Sequence, residues 1–123
     1  MDKLDKYIDE AKEIVQGVIK DTRAGKEIRE GITRLEELPE IEGSILYKME
    51  LEAVISYLSS LYLIINDNRL DNASVEEELR KVMDKIQPAA DPQETEELQA
   101  IESAKTIAYD ACTKAMEIIE GRV

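Results

Sequence analysis

Apolar side chains recur along this chain at intervals of three and four residues, the spacing of one face of a helix. In the first third, Leu4, Ala11, Val18 and Ile32 share one heptad position, and Tyr7, Ile14, Ile28 and Leu35 follow three residues later. Ile8, Val15 and Ile19 widen the stripe, and Asp2 stands where an N-cap belongs. The register survives the polar stretch 21–26, which predicts one long helix over about 3–37, kinked near Gly25. Gly17, Gly25 and Gly31 each weaken a helix by about 1 kcal/mol relative to Ala, so two helices joined at 24–26 are the alternative.

The second helix begins at Pro39 or Ser44 and ends at Ile65. Ile41, Ile45, Met49, Val54, Leu58, Leu61 and Ile65 make one face; Leu46, Leu51, Ile55, Tyr62 and Ile64 widen it. Tyr47 falls off that face, while Tyr57 and Tyr62 flank it. The run Leu61, Tyr62, Leu63, Ile64 and Ile65 covers the whole helix circumference, because consecutive positions point about 100° apart. A turn apolar on all sides needs cover on all sides. With Tyr57, these five residues form the expected self or partner interface. Asn66, Asp67 and Asn68 then stop the helix.

The third helix opens on a capping box, Ser74 with Glu77, and carries Val75, Leu79, Val82, Met83 and Ile86 before Pro88 closes it. The fourth opens on Asp91 as N-cap, Pro92 and Glu94. Its face runs from Leu98 through Ile101, Ala104, Ala108, Ala111 and Ala115 to Ile119, with Gly121 as a natural stop. No stretch alternates with a period of two. The fold expected over residues 1–123 is therefore a single all-α domain: an antiparallel bundle of four helices, five if the first is divided. A first helix of about 50 Å cannot be covered by a third of about 20 Å. That mismatch predicts a homo-oligomer, a two-fold dimer in the simplest case.

Charge narrows the partners. Twenty-eight Asp and Glu face sixteen Lys and Arg, a net −12. No basic run exceeds two residues, so neither a nucleic acid nor an anionic membrane is expected as a direct partner. Glu76, Glu77 and Glu78, and Glu94, Glu96 and Glu97, sit where first turns are expected, and acid there favours the helix dipole. The other reading joins them into an acidic interaction strip that imitates DNA phosphates. Cys112 lies among alanines and reads as a small core residue. The start lacks the basic-then-apolar order of a secretory signal. The most apolar stretch, 51–65, is too short to span a bilayer, so a cytoplasmic protein is expected.

The chain has no histidine. That excludes Ser-His-Asp and Cys-His catalysis and Glu-x-x-His di-iron sites, and one cysteine makes no zinc site. No metal or cofactor is expected. Carboxylate chemistry is what remains. Glu36, Glu37 and Glu40, spaced as E-E-x-x-E, resemble the magnesium motif of the MazG-type nucleotide pyrophosphatases. The resemblance implies glutamates on facing helices holding Mg²⁺ against a triphosphate. It covers five residues, Pro39 interrupts it, and the family's downstream E-x-x-D is absent from the chain. The function expected is a non-enzymatic helical protein–protein interaction module, as a small subunit, adaptor or self-associating bundle. The alternatives are an acidic, phage-type inhibitor of a basic nucleic-acid-binding protein and, third, the pyrophosphatase.

Overall fold

The computed structural model describes residues 4–8 and 21–121. The described residues are 74% helical, in five helices, and contain no strand. Residues 4–8 are helical (α1), with Leu4 and Ile8 packed against the core. The others are α2 (Arg23–Glu36), α3 (Ile45–Ile65), α4 (Asn72–Lys85) and α5 (Glu96–Ile119). Among them, α2 with α5 is the most extensive pairing, followed by α2 with α3 and α3 with α5. The core is aliphatic: Ile28, Ile32 and Leu35 meet Val54, Leu58 and Leu61, against Ala104, Ala108, Cys112 and Ala115.

The expected helix over 3–37 is interrupted at residues 21–22, and not at 24–26. Thr22 is extended, and its hydroxyl accepts the Gly25 amide at 2.9 Å, an N-cap for α2. Asn66 holds the break from outside, its Oδ1 accepting both the Thr22 amide and hydroxyl at 2.9 Å. Gly25 leaves room for that contact: a Cβ would stand 2.3 Å from the same oxygen and would have to push the Asn66 side chain off Thr22. The heptad positions at 11, 14, 15, 18 and 19 lie outside the described residues.

Two further starts differ from expectation. Asp71, and not Ser74, caps α4, accepting the Ser74 amide at 2.8 Å. Thr95, and not Asp91, caps α5, accepting the Leu98 amide at 3.1 Å. Ser44 caps α3 as one of the two expected starts, and Gly121 stops α5 at a left-handed φ of 75°. The alanine face of α5 admits α2 closely: a Cβ on Gly31 would lie 2.7 Å from the Ala111 methyl and 3.3 Å from Leu58 Cδ1.

Candidate functional site

The face of α3 turns out differently in its two halves. Tyr47, Val54, Leu58, Leu61 and Ile65 are buried, with Leu51 half-buried between them. The expected face had Ile45 and Met49 at this end, with Leu51 on its widened flank and Tyr47 off it. Ile45 is 73% exposed, Met49 61% and Leu46 45%, beside core residues such as Leu58 at 0%. Tyr47 wins the inward position because its polar end is satisfied: its hydroxyl donates to the Pro39 carbonyl at 3.2 Å. Burial raises its pKa, so it remains a donor.

That bond fastens the preceding turn over the start of α3. Gly43, at φ 79°, reverses the chain, and Ser44 accepts the Tyr47 amide at 3.2 Å. The Ser44 hydroxyl in turn donates to Glu97 Oε2, which brings the first turn of α5 to this end of α3. Between turn and helix lies a groove of about 490 Å³, with Ile41, Ile45, Leu51 and Ile55 among its walls and Glu40, Glu42 and Glu52 around them. Residues 37–52 hold five glutamates and one lysine, Lys48. Among the described residues Glu40, Glu42, Glu50 and Glu52 make no ion pair, and Glu52 Oε1 is shut off from solvent without a hydrogen-bond partner there.

The residues predicted as an interface behave otherwise. Leu61, Tyr62 and Ile65 are buried in the chain's own core, and Tyr57, Leu63 and Ile64 are half-buried against it. Lys85 lies over the Tyr57 ring, 5.3 Å from its centre. Tyr62 donates to Asp21 Oδ1, while Arg29 Nε donates to Asp21 Oδ2 at 2.6 Å. Burial, and then the bond to Asp21, push the Tyr62 hydroxyl far above its ordinary pKa. It is an internal donor that clamps the start of α2 to the end of α3.

The two acidic groups are placed apart. Glu76, Glu77 and Glu78 fall in the second turn of α4, beyond the first turn where they were expected, and Lys81 reaches Glu77 at 3.7 Å and Glu78 at 3.3 Å. Glu94 precedes α5, with Glu96 and Glu97 in its first turn. Glu36 ends α2 and Glu37 caps it, so Leu38, Pro39 and Glu40 leave the helix and the E-E-x-x-E letters share no helical face. Among the described residues no group of three His, Cys, Asp or Glu could hold a metal ion. No described helix is long and apolar enough to cross a membrane. Burial pushes the Cys112 thiol up to about 12, which keeps it protonated and unreactive.

The sequence signal for the groove was present but divided. Glu40, Glu42, Glu50 and Glu52 bracket Ile45, Leu46 and Met49, a charged frame around an apolar stretch. Periodicity assigned those apolar residues to the core, and so hid the frame. No family model, curated protein or solved structure matches this chain.

Proposed function

We propose that this protein is a non-enzymatic protein-interaction module that docks a partner on the first half of α3. The observation that carries the reading is the exposure of Ile45, Leu46 and Met49 on neighbouring positions beside a groove with apolar walls. Of the three, Ile45 lines the groove itself, and exposed apolar side chains next to a concavity are what a partner's apolar anchors cover. The frame behind the surface is, in our reading, an antiparallel bundle. Thr22 meeting Asn66 sets α2 against α3; Arg80 near Glu120, with Ala89 bonded to Glu102, sets α4 against α5.

A self-associating bundle has less support. The length mismatch that suggested it involves a helix over 3–37, and α2 itself has 14 residues, as α4 does. The test is purification of the tagged protein from its native cells beside the variant Ile45→Gln/Leu46→Gln/Met49→Gln, with co-purifying proteins quantified by mass spectrometry. The reading expects at least one stoichiometric protein to be lost with the variant while Glu76→Gln/Glu77→Gln/Glu78→Gln retains it. An identical set of partners on wild type and the α3 variant would end it.

A further inference from the structure

Resting on that docking surface, we infer that its occupant is a cationic amphipathic segment of another protein, whose Lys or Arg heads meet the glutamates around the groove. Three observations converge. The apolar part of the surface, Ile45, Leu46 and Met49, calls for apolar side chains on the occupant. The groove is predominantly acidic: Glu40, Glu42 and Glu52 line it against one cation, Lys48, none of the three glutamates nor the nearby Glu50 has an ion-pair partner within the described protein, and the Ser44–Glu97 bond adds the acidic start of α5 to the same end. Glu52 Oε1 is sequestered from water with no donor, in a residue that lines the groove. Glu52 is half-buried and its carboxylate is therefore poorly solvated, and a guanidinium or ammonium brought against it from the groove supplies the opposite charge.

The same charge argues against a second copy. Across a two-fold axis one patch meets itself, so glutamates 40, 42, 50 and 52 of one protomer would face those of its partner around an apolar centre, with Lys48 the one cation to set against the four. Like charges set opposite each other at an interface are strongly disfavoured. A basic occupant turns the same four carboxylates from an obstacle into the selecting element, and the net −12 of the chain steers it inward.

The experiment titrates the full-length protein, isotope-labelled for NMR, with three synthetic peptides of about four helical turns. One places leucines on one face and lysines on the other, the second replaces lysine by glutamate, and the third scrambles the leucine–lysine order. The inference expects the amphipathic lysine peptide to bind with shifts concentrated at residues 41–55, roughly tenfold or more tighter than either control. Glu52→Gln should weaken it several-fold without changing the melting temperature. Ile45→Gln/Met49→Gln should weaken it as well, and Glu76→Gln/Glu77→Gln/Glu78→Gln should leave it unchanged. If lysine and glutamate peptides bind residues 41–55 equally, the docking surface stands and the basic occupant is wrong. If the scrambled lysine peptide binds as well, or the shifts follow Glu76, Glu77 and Glu78, the attraction is unspecific charge and the inference fails. A wild-type protein that bound no peptide and sedimented as a dimer, dissociated by Ile45→Gln/Met49→Gln, would give the groove to a second copy.

Discussion

The two halves of α3 have similar apolar content and opposite fates. From Val54 onward the helix is enclosed: Leu58, Leu61 and Tyr62 are wholly buried between α2 and α5. Before Val54 only one side is enclosed, through Tyr47 and Leu51, and the other presents Ile45, Leu46 and Met49 outward. What differs is the neighbours. The second half meets the start of α2 through Asn66 and Tyr62, and Gly31 lets Leu58 sit against α2. The first half meets an acidic turn held by Pro39 and Ser44, which covers its inner side and leaves a groove. Hydrophobicity therefore states that a surface needs cover and is silent on whether the chain itself provides it.

Truncation separates the halves most sharply. Leu58→Ala should cost roughly 2–5 kcal/mol, because a fully buried leucine leaves a cavity, whereas Met49→Ala should stay within about 0.5 kcal/mol. Urea denaturation of the two variants gives both values. Equal losses would mean that the first half is covered as thoroughly as the second.

Alkaline pH attacks the enclosed groups next. Burial holds the thiol of Cys112 and the hydroxyls of Tyr47 and Tyr62 protonated in the folded state. A group whose folded pKa is raised contributes stability that is complete below its unfolded pKa and is lost as pH rises through the folded one. Stability should therefore decline from about pH 9 upward, as thiol and then phenol ionise more readily in the unfolded chain, by about 1.4 kcal/mol for each unit of separation. Thermal melts from pH 7 to 11 follow this, and Cys112→Ala should flatten the first part of the decline. A melting temperature independent of pH over that range would show these groups to be exposed.

Gly31→Ala sharpens the picture of how closely the enclosed half is held. Helix propensity alone favours alanine by about 1 kcal/mol. The added methyl would meet Ala111 at 2.7 Å, a contact that forces α2 and α5 apart. Overpacking of this kind costs about 1–3 kcal/mol, so a net loss of stability is expected. The paired variant Gly31→Ala/Ala111→Gly should recover part of it, and a stabilised Gly31→Ala would show that α2 and α5 have slack.

The helical nature of the chain was legible from spacing alone, and so were the start at Ser44, as one of two candidates, the stop at Gly121 and the core role of Cys112. Three things were not. Asp71 and Ser74 are both able caps, as are Asp91 and Thr95, and local chemistry does not rank them; α4 and α5 begin where their buried faces and the Ser44–Glu97 bond require. The break at 21–22 hides inside an unbroken heptad, because its cause is Asn66, forty-four residues away. The groove was missed because spacing put Ile45 and Met49 on the inward face and Tyr47 off it, although a tyrosine with an acceptor for its hydroxyl buries as well as either. The interface expected at 61–65 falls where the chain's own core covers Leu61, Tyr62 and Ile65 and leaves Leu63 and Ile64 half-buried.

The central claim is that the first half of α3 contributes little to the protein's own stability and is kept apolar for a partner. Its most direct measurement is the unfolding free energy of Ile45→Gln/Leu46→Gln/Met49→Gln, taken at low and high protein concentration. Glutamine keeps the helix propensity, so the account predicts a value within about 1 kcal/mol of wild type, the same at both concentrations. A loss of about 3 kcal/mol or more, or one that grows with concentration, would show that these side chains already have their cover within the protein or its own oligomer.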